Sequence, residues 1–299
     1  MFDRIAHTVS YQTLNLDAPI QVSIKRLDQI HPQISGNKFF KLKYNLLEAQ
    51  KQATKKIITF GGAYSNHIAA TAYASHLFGF ESIGFIRGEE LVDQPLNSTL
   101  STAQNFGMQL QFISREKYRK KESEDFLQQL KLGYPDAYIV PEGGSNDLAI
   151  LGCREILSDD DLKNYDVICC AVGTGGTILG LIEASSDHQT ILGFSALKGD
   201  FLQKEISLKT NKSNWKITDH YCFGGYAKTR PELFTFIDNF EQNHQIPLEQ
   251  IYTGKMLFGL FDLIKKNDFA ENTRILVIHS GGLQGRKIPC SDSNQGSHR

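Results

Sequence analysis

Four turns that leave strand-like runs are dense in glycine and in hydroxyl or amide side chains: Gly61-Gly62-Ala63-Tyr64-Ser65-Asn66, Glu142-Gly143-Gly144-Ser145-Asn146, Gly173-Thr174-Gly175-Gly176-Thr177 and Ser280-Gly281-Gly282. Turns at the carboxyl ends of strands are where α/β proteins bind ligands. In the Gly173 to Thr177 turn, glycines let the backbone approach an anion, and N–H groups at a helix start point towards it. Thr174 and Thr177 add hydroxyls. No Gly-Lys-Ser/Thr follows, so this is not a Walker A loop. Ile178 stands where a dinucleotide fingerprint needs its third glycine. A plain tight turn fits this segment as well as a phosphate cradle does. In Ser35-Gly36-Asn37-Lys38-Phe39-Phe40-Lys41, two lysines three apart face roughly the same way on a helix entrance. They read as a solvated amphipathic edge, or as an amine desolvated among Phe39, Phe40 and Leu42 and so made nucleophilic. Ser65-Asn66 reads as a helix N-cap, an anion-recognising turn, or both.

These residues need elements to hold them, and the chain supplies an alternation. Strand-like runs at 21–25, 56–60, 81–87, 109–113, 137–140, 167–172, 190–194, 215–218 and 274–279 alternate with helical spacing at 38–54, 66–78, 98–106, 115–132, 231–243 and 254–266. A helix is expected from Ile178 onward, and another begins at Asp147 as N-cap. Continuous apolar strands between helices predict an α/β fold with parallel sheets covered on both faces. The tail 291–299 is polar and without period, and is expected to be loose.

Composition narrows the function classes. Apolar residues make up 40% of the 299, charged residues 22%, and the net charge is -1, which excludes a disordered chain and leaves no basic surplus for nucleic-acid binding. The aliphatic runs, such as Ile275-Leu276-Val277-Ile278, are too short to span a membrane. The first residues lack the apolar core of a secretory signal, so a cytoplasmic protein is expected. The five cysteines (Cys153, Cys169, Cys170, Cys222 and Cys290) are odd in number and lack metal-ligand spacing. Cys169 and Cys170 read as small buried hydrophobes. The nine histidines form no HExxH pattern, and no metal site is expected.

Taken in order, SGNKxxK, GGxxSN, PEGGSN, GTGGT, YTGK and HSGG run from Ser35 to Gly282. In this the chain resembles the pyridoxal-phosphate enzymes of fold type II, specifically the family of 1-aminocyclopropane-1-carboxylate (ACC) deaminase and D-cysteine desulfhydrase. The resemblance implies a two-domain α/β protein of the tryptophan synthase β kind, with parallel-rich twisted sheets flanked by helices. A small domain, 44–153, is inserted into a large one formed by 1–43 and 154–299. A homodimer is expected, since the family commonly forms one. The cofactor is pyridoxal 5'-phosphate and the partner a small amino acid.

Residue by residue, the resemblance implies that the second lysine of GNKxxK, Lys41, is joined to the cofactor, and that Lys38 is structural or a surface charge. Ser65 and Asn66 lie at the cofactor and the substrate carboxylate, with His67 lining the site beside them. Gly173, Thr174, Gly175, Gly176 and Thr177 hold the phosphate. Tyr252 stands near the reacting atoms, and Tyr226, after Phe223-Gly224-Gly225, matches a second family tyrosine. ACC deaminases carry Glu after the motif tyrosine and Leu before the late Gly-Gly, where desulfhydrases carry small hydroxyl residues. Thr253, expected by the resemblance to touch substrate, and Ser280, expected at the cofactor, stand there in this chain. Ser280 is then a neutral partner for the pyridine nitrogen, adequate where a good β-leaving group departs.

The activity implied is β-elimination from D-cysteine to pyruvate, ammonia and sulfide. The freed amine of Lys41 acts as base on Cα, and Tyr252 assists protonation or orients the leaving group. ACC deaminase is the alternative. Two distant alternatives are a nicotinamide-dependent oxidoreductase, for which the strand 190–194 lacks the ribose-binding acid, and a non-catalytic binding module.

Overall fold

A computed structural model describes residues 1–286. In chain order the elements are β1 (Tyr11–Leu14), β2 (Gln21–Lys25), α1 (Asn37–Lys51), β3 (Lys56–Gly61), α2 (Asn66–Leu77), β4 (Glu81–Arg87), α3 (Ser98–Asn105), β5 (Met108–Ile113), α4 (Arg115–Arg119), α5 (Glu124–Gly133) and β6 (Ala137–Ile139). There follow α6 (Asp147–Arg154), α7 (Asp159–Asn164), β7 (Val167–Val172), α8 (Gly176–Ala184), β8 (Thr190–Ser195), α9 (Phe201–Ser207), β9 (Trp215–Thr218), α10 (Pro231–His244), α11 (Thr253–Lys265) and β10 (Arg274–Ile278).

The strands form two sheets. One has the order β1-β2-β10-β7-β8-β9 and the other β5-β4-β3-β6. Every pairing is parallel except β1 with β2. Central strands are apolar on both faces, as in Val167–Val172, where only the first residue is not buried. That is the signature of a parallel sheet covered twice. Cys169 and Cys170 are fully buried there, as small hydrophobes.

Three helices bring the two sheets together. A Cβ on Gly152 of α6 would lie 2.0 Å from the Phe40 carbonyl of α1, and one on Gly180 of α8 would lie 2.4 Å from Cys153 Cβ. Backbones approach this closely only where the side chain is a hydrogen, so α1, α6 and α8 stack almost in contact and bring Lys41 to the start of α8. A second contact fixes the start of α1. Gly36, at φ +65°, packs on the Ser280-Gly281 backbone, where a Cβ would come 1.8 Å from the Ser280 oxygen. The Asn37 N–H donates to that same oxygen at 3.2 Å. The first and last of the six motifs therefore touch.

Several local expectations are corrected. The helix expected over 115–132 is two, α4 and α5, because Ser123 caps a new start by accepting the Phe126 N–H at 3.4 Å. Asn146, not Asp147, caps α6, with its side chain accepting the Ala149 N–H at 2.9 Å. The helix after the glycine-threonine turn starts at Gly176 rather than Ile178. The edge strand β1 and the short helices α7 and α9 were not anticipated. Cys290 and the tail 291–299 lie outside the described residues. Among the described residues, no helix is long and apolar enough to cross a membrane.

Candidate active site

A cavity of about 410 Å³ opens between the carboxyl ends of the two sheets, lined by the turns after β3, β6, β7 and β10. It is at the small end of the roughly 300–1,000 Å³ typical of ligand pockets.

The α8 wall is built to receive an anion. Gly173 leaves β7, and Gly175 caps α8 in the left-handed region at φ +81° with no side chain occupying the first amides. Thr177 Oγ1 is fixed by accepting from Asn37 Nδ2 at 2.8 Å. Lys41 is buried and directs its amine into this turn: Nζ donates to Gly143 O at 3.0 Å, Ser145 Oγ at 3.1 Å and Thr174 Oγ1 at 3.3 Å. A Cβ on Gly176 would stand 3.3 Å from that amine. A cation, two threonine hydroxyls and an uncapped helix start suit a phosphate.

Lys38 lies one helical turn earlier and is not a surface charge. It lines the cavity, and among the described residues its amine has a single hydrogen-bond partner, the Asn37 side chain at 3.0 Å. Desolvation pushes its pKa down to about 7, and the neighbouring Lys41 adds to the shift. Burial lowers Lys41 as well. The structure thus separates the two lysines: Lys41 is packed into the phosphate-type turn, and Lys38 faces the cavity.

The α2 wall is different. Ser65 caps the helix by accepting the Ile68 N–H at 3.4 Å. Asn66 Oδ1 and His67 Nδ1 are buried without a hydrogen-bond partner among the described residues. His67 Nε2 lies 2.7 Å from the Thr59 hydroxyl, which donates to the Val140 carbonyl, so the ring donates to Thr59. Burial, with Lys38 and Lys41 adding to it, holds His67 neutral, well below the usual histidine range.

Two tyrosines and Ser280 line the rest of the cavity. Tyr252 passes close to the Gly173 backbone, where a Cβ would lie 3.1 Å from its ring. Burial, with Tyr226 and Glu249 adding to it, holds its phenol protonated well above the usual range. The Tyr226 ring is 6.2 Å away at 63°.

Thr253 is not on the wall. It is fully buried and exchanges hydrogen bonds with Glu249, accepting the Glu249 N–H at 3.1 Å and donating to Oε1 at 3.2 Å.

Sequence reasoning missed Glu249. This buried carboxylate accepts the N–H groups of Ile251, Tyr252 and Thr253 at 2.6, 2.7 and 2.6 Å, fixing the start of α11 and with it Tyr252. An acid just ahead of a predicted helix start was the available signal. Arg87, at the end of β4, also lines the cavity, and its position at a strand's carboxyl end could have marked it.

Known proteins resemble this chain over most of its length. The family described as pyridoxal-phosphate dependent enzyme matches residues 8–281. A putative ACC deaminase of Thermotoga maritima is 30% identical over 285 residues, 88% of this chain and 89% of the relative. A bifunctional D-cysteine desulfhydrase/ACC deaminase of Arabidopsis thaliana is 33% identical over 290 residues, 88% of this chain and 72% of the relative. Among solved structures, an ACC deaminase homologue matches with TM-score 0.80 and 27% identity, covering 94% of this chain and 91% of that one. A hydrogen sulfide-producing enzyme of Fusobacterium nucleatum shares the fold, at TM-score 0.69 and 13% identity over 95% of this chain and 98% of its own.

The residues present fit pyridoxal phosphate. The Gly173 to Thr177 turn with Lys41 matches a phosphate, the Lys38 amine a carbonyl, and the unpartnered Asn66 side chain a polar ring substituent.

Proposed function

The chain belongs to the pyridoxal-phosphate-dependent enzymes, in the family of ACC deaminase and D-cysteine desulfhydrase, and on that premise we propose that it removes a β-substituent from a small amino acid, D-cysteine foremost, giving pyruvate, ammonia and sulfide. The observation that carries this reading is a base and an acid in one small cavity at neutral pH: Lys38, pushed down to about 7, and Tyr252, held protonated. Removing a Cα proton and assisting a leaving group at Cβ calls for such a pair.

When bound, pyridoxal phosphate supplies the electron sink for charge left on the substrate Cα. Lys41, Thr174 and the first amides of α8 hold the phosphate. Lys38 takes the role that the motif reading gives to Lys41. Lys38 would hold the cofactor at its carbonyl, and its free amine would accept the Cα proton at Nζ. What supports this exchange of roles is the direction of the two amines: one hydrogen-bonds within the phosphate-type turn and the other faces the cavity. Ser65 and the α2 amides bind the substrate carboxylate, with Asn66 at the cofactor's polar ring substituent, and this sets the Cα–H presented to Lys38. The Tyr252 phenol donates to the departing sulfur, and Tyr226 orders it. Ser280, a neutral hydroxyl on the cavity wall, favours a substrate with a good leaving group over opening of a cyclopropane. The domain boundaries 44–153 and 1–43 plus 154–299 belong to the same proposal, and the four-stranded sheet falls within the first.

The test is pyruvate release by cofactor-loaded protein from D-cysteine, ACC and D-serine side by side. D-cysteine is expected to be fastest, and a faster ACC reaction replaces this reading with the deaminase one. Borohydride reduction followed by peptide mapping should place the label on Lys38, and a label on Lys41 restores the motif assignment.

A further inference from the structure

Tyr226 is carried by a loop with an unfavourable backbone. Four residues around it have left-handed φ: Phe223 at 55°, Gly224 at 94°, Gly225 at 127° and Ala227 at 56°. Phe223 and Ala227 have no glycine's freedom, and such conformations cost about 1–3 kcal/mol each and persist only where their surroundings impose them. Two contacts from α11 impose this one. The Phe258 ring packs on Phe223 at 5.0 Å. Lys255, only 2% exposed, donates from Nζ to the carbonyls of Cys222 at 2.8 Å and Gly225 at 2.9 Å. Both of these partners are carbonyls, and among the described residues no carboxylate is paired with Lys255. A buried ammonium with no ion pair, the Glu249 carboxylate acting on it only across space, is costly, and a methionine of similar length would fill the same space without that cost. The cation is therefore explained by what it holds rather than by stability. Its two acceptors bracket the backbone that ends one residue before Tyr226.

We infer that Lys255 is a positioning residue: its two hydrogen bonds fix the 222–228 loop so that Tyr226 stands over the cavity against Tyr252. The Tyr252-Thr253-Gly254-Lys255 motif then places both tyrosines, one directly and the other from its fourth residue. This rests on the proposed role of Tyr226 in the reaction.

The experiment is a double-mutant cycle on the cofactor-loaded enzyme with Lys255→Met, Tyr226→Phe and the pair, using whichever amino acid the substrate panel finds fastest. Tyr226→Phe is expected to lower kcat about tenfold or more. Lys255→Met is expected to lower kcat by a similar factor, with the cofactor absorbance retained, and to cost little further in the Tyr226→Phe background, since a residue acting through another has no separate effect. Trypsin cleavage after Lys228 should quicken several-fold in Lys255→Met, a readout independent of turnover. A full additional loss in the double variant, or wild-type kcat in Lys255→Met beside a damaged Tyr226→Phe, overturns the inference alone. Wild-type kcat in Tyr226→Phe overturns the role of Tyr226 and the inference with it. If Lys255→Met does not fold, Gly225→Ala probes the same loop. Its Cβ meets open space but its φ of 127° is one that alanine resists. The same non-additive loss is expected, and additivity again overturns the inference.

Discussion

Two helix N-termini open into one cavity, each reached from a strand through a glycine turn, and they are finished in opposite ways. At α8 the N-cap is Gly175 in the left-handed region, no side chain occupies the first amides, and the Lys41 amine is packed beside them. At α2 the N-cap is Ser65, whose side chain satisfies one amide itself by accepting the Ile68 N–H. The difference matches two kinds of anion. A phosphate that stays in place profits from a fixed cation and free amides. A carboxylate that must arrive and leave is better served by a helix start and a hydroxyl, each worth about 1 kcal/mol or less. On the proposed roles, the same strand-turn-helix pattern would serve as a permanent site at α8 and an exchangeable one at α2, with the lysine marking the first.

The sharpest way to break this contrast is to remove each lysine in turn. Lys38→Met is expected to lower kcat by roughly 10²–10⁴, the span ascribed to a positioned acid or base, and to abolish borohydride trapping while the cofactor still binds. Lys41→Met is expected to keep trapping at saturating cofactor but to weaken cofactor affinity about 10- to 100-fold, as loss of charge-assisted hydrogen bonds worth roughly 1.5–3 kcal/mol implies. A titration followed by absorbance separates the two, and the reverse pattern would exchange their roles. The cofactor-free protein adds a pH signature. Lys38 has a pKa of about 7 when folded and near 10.5 when unfolded, so the unfolded chain binds more protons between those values and stability rises with pH across that window. The rise in melting temperature from pH 7 to 9 should be smaller in Lys38→Met than in the parent, and an unchanged slope would argue for a solvated amine.

On the exchangeable side, Ser65→Ala is expected to act modestly. Its cap hydrogen bond is long at 3.4 Å, so the stability lost should be about 0.5 kcal/mol, at the low end for caps. Substrate KM should rise several-fold while cofactor affinity stays. A fall in cofactor affinity as large as that of Lys41→Met would show that the two walls share one anion.

Much of the scaffold was legible because parallel strands are continuous apolar runs: Glu81–Arg87 and Val167–Val172 lie where the pattern puts them. The break between α4 and α5 was hidden because the charged segment 115–132 keeps a helical look across Ser123, and only the cap marks the new start. The site's turns were legible from composition. The different surroundings of the Lys38 and Lys41 amines were not, since residues three apart share a helix face. What turns Lys41 into the phosphate-type turn is the close stacking of α1, α6 and α8 at Gly152 and Gly180, a contact between distant segments. Glu249 was overlooked because its role depends on the amides of the residues that follow it rather than on a motif letter.

The smallest expected effect on catalysis concerns Thr253, a position expected to touch substrate. The hydroxyl is fully buried and both its hydrogen bonds go to Glu249, one accepted from the backbone N–H and one donated to the carboxylate. Thr253→Val keeps the shape and removes both, leaving a buried N–H without its acceptor, which costs about 1–3 kcal/mol. Thr253→Ser keeps the hydroxyl and should stay close to the parent. The expected outcome for Thr253→Val is therefore a lower melting temperature with the ratio of D-cysteine to ACC turnover unchanged. Glu249 retains three backbone N–H donors without the threonine hydroxyl, so Tyr252 keeps its anchor. A change in that ratio at equal stability would instead place the threonine in contact with substrate, and the second wall of the cavity would have to be redrawn to include it.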